Sequence, residues 1–355
     1  MTAKLFTIGD SVSQGFMSGA AANTHLCYST LLSQALNNPD YRYLKWQEKY
    51  KTKIDLERIL RKLEAKCGSN IRGLEWLKVL PSINGVLDVA EDYFERGAGN
   101  VGQPIVQPEV HLGFHNVAVE GMDVADAYLV TPNLCKKAID DLPRSARKDG
   151  YMSATSAPFY RNAYRVLNPQ GEAGDAQFGD FSAVDWLKHT AESEGVENLC
   201  LMLGANNALG TVLDLNIMHS PNDPENILNV ERKERQKWNL WHPNDFRKEY
   251  SVLLDKVVSA MANNQHQDWH VFVGNVPLVT IAPLAKGIGE QRLVQDPAGS
   301  GKEYLYYQYY TYFPLTEKSA MSTGKYLKFR DALFIDKAIG KFNEIINELI
   351  NEKNH

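Results

Sequence analysis

Long apolar runs are scarce in this chain of 355 residues. None exceeds a few residues, against the roughly 20 that a helix needs to cross a bilayer, so no transmembrane segment is expected. The opening residues Met1, Thr2, Ala3 and Lys4 lead straight into Leu5-Phe6-Thr7-Ile8, without the apolar core or small-residue cleavage site of a secretory leader. The expectation is a cytoplasmic chain, or a secreted one whose leader has been removed. Cysteine is equally sparse. Four residues, at positions 27, 67, 135 and 200, form no CxxC pair and no disulfide framework, which predicts free thiols and speaks against a thiolate metal site. An excess of positive charge is missing too: Lys+Arg 38 against Asp+Glu 43 gives a net charge of -5, so no global basic field recruits nucleic acid. No internal repeat or low-complexity tract is visible. What is present is the balance of a folded globule, 44% hydrophobic and 23% charged, which excludes disorder as the main state.

Four short apolar segments, at 5–8, 114–119, 199–203 and 270–273, read as buried strands, each ended by a glycine or polar turn. Helical spacing separates them. Asn23 or Thr24 is expected to cap a helix with Leu26, Leu31, Leu32, Ala35 and Leu36 on its apolar face. Residues 41–66 interleave Lys, Arg and Glu with Ile54, Leu56, Ile59, Leu60 and Leu63, an amphipathic surface helix whose Lys run is a solvated face. Further helical stretches are expected at 86–94, 122–130, 159–167, 183–192 and 245–261. From Leu333 to Leu349 an apolar stripe of period 3.6 predicts a core-facing tail helix. Strands alternating with helices predict an α/β fold: a three-layer, doubly wound parallel sheet in a single domain over 1–355, with helical and loop insertions at about 40–112, 130–181 and 208–243. Ligands bind such sheets beyond the carboxyl ends of the strands, so the residues that follow each strand are where chemistry is sought.

After the first strand stands Gly9-Asp10-Ser11-Val12-Ser13-Gln14-Gly15. A serine on a tight strand-to-helix turn exposes its hydroxyl, and the turn's N–H groups can stabilise an oxyanion. The same residues also serve as an ordinary turn and helix cap. The second strand runs Asn116-Val117-Ala118-Val119 into Glu120-Gly121, and the third into Gly204-Ala205-Asn206-Asn207. Gly121 can offer an unobstructed N–H and Asn206 a side-chain amide, or they serve as a turn and a cap. A side-chain oxyanion donor lowers an acyl-transfer barrier by about 2.7–4 kcal/mol.

These three blocks, in this order and after these strands, resemble the GDSL/SGNH hydrolase superfamily of lipase- and esterase-like enzymes. The resemblance covers 4–16, 114–128, 198–208 and loosely 245–280. It implies ester hydrolysis of a lipid, carbohydrate or other small-molecule acyl ester, without a cofactor or metal. By the same resemblance Ser11 is the nucleophile, and Ser11 N–H, Gly121 and Asn206 form the oxyanion hole, supported by Gly9, Asp10 and Gly204. Position 207 is Asn where many members carry Asp. The family also takes its base from an Asp-x-x-His motif after a fifth strand, and no Asp in this chain has a His three residues on. His242, in Asn239-Leu240-Trp241-His242-Pro243-Asn244, resembles the family's His-Pro-Asn and is the remaining candidate for the base, but it precedes the fourth strand, has Asn239 in place of Asp, and is expected rather as a loop residue before a helix. His270 opens a strand and His355 is the last residue. The last strand and the catalytic block are therefore expected to be absent from these 355 residues. Three readings stay open: an esterase, a catalytically silent binding module, and a fragment completed by another segment or by an oligomer partner.

Three further patterns are decoys. Gly97 to Gly102 matches G-x-G-x-x-G but lacks the strand before it and the helix after it. Gly299-Ser300-Gly301-Lys302 lacks the earlier Gly and the Ser/Thr of a P-loop. His111 and His115 stand four apart across Gly113, so they do not share a helix face. The aromatics Tyr151, Phe159, Tyr160 and Tyr164 are expected to pack in the core.

Overall fold

The first apolar segment forms β1 (Phe6–Gly9), every residue of it buried. The computed structural model describes residues 2–47, 49–68, 73–103, 112–142, 157–282, 285–296 and 300–353. Gly299 of the second glycine-rich decoy, together with His111, Tyr151 and His355, lies outside them. The described chain is mixed α/β and divides into two compact units: the first holds 1–122, 127–201 and 257–273, the second 123–126, 202–256 and 274–355.

In the first unit β1 is the neighbour of β2 (Asn198–Met202), which in turn pairs in parallel with β3 (His270–Val273), from Asn198 opposite His270 to Leu201 opposite Val273. Residues 115–119 follow the other side of β1. Thr7 and Asn116 make a parallel bridge, Thr7 N–H donates to His115 O at 2.8 Å, and Val117 and Val119 N–H donate to the carbonyls of Thr7 and Gly9, each at 3.0 Å. All four apolar segments thus contribute to one hydrogen-bonded layer. β3 is less covered than expected: Phe272 is 57% exposed. Alternation replaces the continuous burial of β1 because only one face of that strand is packed.

Seven helices of this unit are α1 (Ser11–Gln14), α2 (Tyr28–Ala35), α3 (Leu56–Cys67), α4 (Val79–Glu95), α5 (Pro132–Asp140), α6 (Ala157–Leu167) and α7 (Ala183–Ser193). Their starts are chemically legible. Asp55 caps α3 by accepting from Arg58 N–H at 2.9 Å, Thr131 caps α5 ahead of Pro132, and Ser182 with Asp185 makes a reciprocal capping box on α7. α6 carries Phe159, Tyr160 and Tyr164 in the core, as their size predicts. Residues 122–130 depart from the expected helix: only Asp126–Leu129 makes a helical turn.

α2 inverts the expected face. Leu26, Leu31, Leu32 and Leu36 are all exposed, at 39–51%, while Ser29, Thr30 and Ser33 are buried. A polar network claims the inner side. Ser29 Oγ accepts from Asn116 Nδ2 at 3.0 Å and meets Tyr41 OH at 2.9 Å, and Tyr41 OH meets Thr7 Oγ1 at 3.0 Å. Buried hydroxyls that find partners can hold a helix face as firmly as apolar side chains do.

The second unit contains α8 (Pro243–Met261) as far as Lys256, an antiparallel hairpin of β4 (Ala285–Gln295) and β5 (Glu303–Tyr312), a short β6 (Leu327–Lys328) beside β5, and α9 (Phe329–Lys353). The hairpin has no counterpart among the elements expected from sequence, because β5 presents Tyr at 304, 306, 307, 309, 310 and 312 instead of a polar-apolar alternation. α9 follows its stripe: Ile335, Ile339, Phe342, Ile346 and Leu349 are 0–3% exposed, and Phe342 stacks on Phe246 of α8 at 4.0 Å between ring centroids. No described helix is long and apolar enough to cross a membrane.

Candidate functional site

Gly9-Asp10-Ser11 stands where β1 gives way to α1. Asp10 is the helix cap, its Oδ1 accepting from Val12 N–H at 3.2 Å, and the Gly15 N–H closes the turn on the Ser11 carbonyl at 3.1 Å. Ser11 is therefore the first helical residue, half-buried, with Val12 beside it 60% exposed. Asp10 is only 5% exposed. Burial, reinforced by the nearby Glu120 charge, pushes its carboxyl up to about 6 from an ordinary 3.8, against the pull of backbone hydrogen bonds.

The turn is anchored from below by carboxamides. Asn116 Nδ2 donates to Ser13 O at 2.9 Å as well as to Ser29 Oγ, and its Oδ1 accepts from Ala118 N–H at 3.1 Å. Ser13 Oγ meets Tyr28 OH at 2.9 Å. Gln14 and Asn162 exchange two amide hydrogen bonds, at 2.7 and 2.9 Å, and Gln14 Oε1 also accepts from Glu120 N–H at 2.7 Å. One side chain of α1 thus fixes the backbone immediately before Gly121. Glu120 is itself buried and ion-paired with Lys53. Gly121 has φ +82°, in the left-handed region where a side chain is strained, so the turn that ends the 115–119 segment requires glycine.

Gly9, Asp10, Ser11 and Gly121 belong to the first unit, whereas Gly204, Asn206 and His242 belong to the second. There, Gly204 has φ +122°, and a Cβ on it would stand 2.6 Å from Val276 Cγ2, so glycine is required twice over. It opens the turn Ala205–Asn207, on which Asn206 is half-buried and Asn207 fully buried. Asn207 Oδ1 accepts from Val124 N–H at 3.3 Å, and Asn207 O accepts from Trp241 N–H at 2.9 Å, which brings the segment before His242 against this turn. His242 precedes α8 as the sequence predicts. Its Nδ1 accepts from Asn244 N–H at 3.4 Å and its own N–H donates to Ser220 Oγ at 2.7 Å, the arrangement of a helix cap.

Among the described residues, no imidazole hydrogen-bonds the Ser11 hydroxyl and no group of three or more His, Cys, Asp or Glu side chains is arranged to hold a metal ion. His115 lies buried in a structural contact, where its Nδ1 accepts from Arg42 N–H at 3.3 Å and its Nε2 lies 3.6 Å from Glu194. Burial lowers its basicity below that of ordinary histidine. Burial alone would raise the carboxyl of Glu194, but hydrogen bonds from His115 and Arg42 pull it down to about 2.

The anchoring residues Asn116, Gln14 and Asn162 do not stand out in the sequence as site residues. A usable signal exists for the first, since Asn116 is a carboxamide inside an otherwise apolar strand, where burial demands partners. Asn162, 148 positions from Gln14, gives none. Compared with protein-family models, with curated proteins and with solved structures, the chain matches none.

Proposed function

We propose that the chain is a serine hydrolase of the GDSL/SGNH type, built on a doubly wound sheet and acting on carboxylic esters of lipid or carbohydrate. The observation that carries this reading is the Val119 N–H to Gly9 O hydrogen bond, which sets the Glu120–Gly121 turn level with Asp10–Ser11 at the ends of two parallel segments. Ser11 Oγ attacks the ester carbonyl, the N–H groups of Ser11 and Gly121 receive the developing oxyanion, and the C–O bond breaks as the alkoxide takes up the proton given by Ser11 and leaves as the alcohol. Water then hydrolyses the acyl-serine. The resemblance adds Asn206 as a side-chain donor and Gly9, Asp10 and Gly204 as supports of the two turns.

Attack also needs a group to accept the Ser11 proton. The absence of Asp-x-x-His from these 355 residues, with no described imidazole on the Ser11 hydroxyl, favours a second reading: a module that binds an ester and does not turn it over. Initial rates on p-nitrophenyl acetate and butyrate separate the two. The hydrolase reading expects Ser11→Ala to lose about 10³-fold or more of the catalysed rate, as removal of a triad nucleophile does. Equal rates for the two proteins overturn it. Asn206→Ala is expected to lower kcat about 10²–10³-fold with KM little changed, the mark of a donor that acts in the transition state.

A further inference from the structure

We propose that Lys53 is a positioning residue of the Ser11 site: its ammonium neutralises the buried Glu120 carboxylate beside the Gly121 N–H and so leaves that donor effective toward an oxyanion. The proposal rests on the hydrolase reading and adds to it a residue that neither the motifs nor the resemblance assigns. Lys53 holds a backbone conformation that a residue with a side chain avoids, with φ +67°. Asn fills three of the six such positions among the described non-glycine residues, as its short polar side chain allows, whereas a lysine gains nothing there from its own backbone. Strain of this kind persists where the surroundings over-determine it, and it clusters at functional sites. The surroundings here are a strand-like pairing with the hairpin that follows α1. Phe16–Met17 pairs antiparallel with Ala20–Ala21, and Lys53 makes an antiparallel bridge to Ala20. Ile54 and Leu56 N–H donate to the carbonyls of Gly19 and Ser18 at 3.3 and 2.9 Å, and Thr52 Oγ1 donates to Ala21 O at 3.2 Å. Fixed on both sides, residue 53 delivers its ammonium to Glu120, with which it forms an ion pair.

Glu120 needs that cation. Lys53 meets its Oε1, while the buried Oε2 has no hydrogen-bond partner among the described residues. The Glu120 N–H donates to Gln14 Oε1 at 2.7 Å, which fixes the backbone from which the carboxylate projects. Its charge reaches the neighbouring turn, where, after burial, it adds to the rise of the Asp10 carboxyl. An uncompensated anion one residue from an oxyanion donor opposes the negative charge that develops in the transition state, and a water-poor setting magnifies the repulsion. Losing the cation alone therefore harms the site, whereas replacing the carboxylate by a neutral side chain of the same shape at the same time does not.

Steady-state hydrolysis of p-nitrophenyl butyrate by the full chain tests the proposal, with circular dichroism at the assay temperature to show each variant folded. Glycine suits φ +67°, so Lys53→Gly removes the ammonium without asking the backbone to change. Its kcat is expected to fall at least about 10-fold with KM little changed, the scale on which a nearby unit charge acts at an effective dielectric of about 20. Adding Glu120→Gln to Lys53→Gly is expected to restore kcat to within about threefold of the parent, because the two changes act through one pair. Lys53→Arg, which keeps the cation, should recover most of the rate that Lys53→Gly loses. If the single variant fails to fold, the double variant decides: a kcat within about threefold of the parent supports the proposal and a loss of about 10-fold overturns it. An unchanged kcat in folded Lys53→Gly overturns the proposal and leaves the hydrolase reading standing, as does a double variant as slow as the single one. A parent no faster than Ser11→Ala overturns the hydrolase reading, and this proposal with it.

Discussion

Two helices with the same apparent amphipathic pattern meet opposite fates. α9 buries its stripe, with Ile335, Ile339 and Phe342 at 0% exposure. α2 leaves Leu31 and Leu32 about half in solvent, at 51% and 46%, and buries Ser29, Thr30 and Ser33. Length and setting decide between them. A 25-residue helix repeats its stripe often enough for apolar burial to fix its rotation, whereas the eight residues of α2 meet the polar groups of two adjacent segments, Thr7 on β1 and Asn116 beside it. Those buried polar groups are costly unless partnered, and Ser29 of α2 meets Asn116 directly and Thr7 through Tyr41. The comparison teaches that a short helix beside a candidate catalytic turn is oriented by hydrogen bonds, and a long helix with a repeated apolar stripe by area.

Removing the largest apolar contact should show the bigger effect. Phe342→Ala on α9 is expected to cost about 4 kcal/mol in urea unfolding, through lost transfer energy and the cavity left against Phe246. A cost below about 1 kcal/mol would mean that area does not set α9. The polar counterpart is Asn116→Ala, which takes the partner from Ser13 O and from the Ala118 N–H and one donor from Ser29 Oγ, and should cost about 3 kcal/mol although it removes almost no apolar area. If the loss falls within about 0.5 kcal/mol, the network does not orient α2.

α9 carries its own buried polar exception, and pH isolates it. Asp336 Oδ2 accepts from Thr280 Oγ1 at 2.7 Å and Tyr306 OH at 2.5 Å, while Oδ1 has no hydrogen-bond partner among the described residues. Burial pushes this carboxyl up to about 6 from 3.8, against the pull of those two hydrogen bonds. A raised folded-state value means the fold holds the proton more tightly than the unfolded chain. The group's stabilisation is therefore complete below about pH 4 and is lost as pH rises through about 6. Asp336→Asn should be about 2 kcal/mol more stable than the parent at pH 7.5 and indistinguishable from it at pH 4. An unchanged pH slope in thermal melts of the variant would contradict the assignment. The smallest effect is expected at the exposed leucines of α2: Leu31→Ser with Leu32→Ser should stay within about 0.5 kcal/mol of the parent, where a core face would lose several.

Legibility from sequence follows the same division. The apolar segments 5–8, 114–119 and 199–203 are readable as strands because burial writes itself as continuous hydrophobic runs, and 270–273 carries such a run although it is less covered. The cap expected from sequence at Asn23 or Thr24 is not made, since α2 starts at Tyr28 after Cys27, whereas Asp55, Thr131 and Ser182 each meet an amide three residues on. The face of α2 is not, because it depends on Asn116, 87 positions away from Ser29. Nor is the β4–β5 hairpin, whose tyrosines carry one apolar and one polar end and so blur the period of two. Within the candidate site, the strained glycines at 121 and 204 match the turns expected of them, while the Gln14–Asn162 pair that fixes Glu120 rests on a contact between distant segments.

Intact-mass spectrometry after exposure to a fluorophosphonate probe tests the central claim most directly. A serine poised at the β1–α1 turn with oxyanion donors and a proton acceptor in place should take up one adduct per chain, mapped to Ser11 by peptide sequencing and abolished in Ser11→Ala. No adduct on the parent, or an equal adduct on Ser11→Ala, would contradict a Ser11 hydrolase.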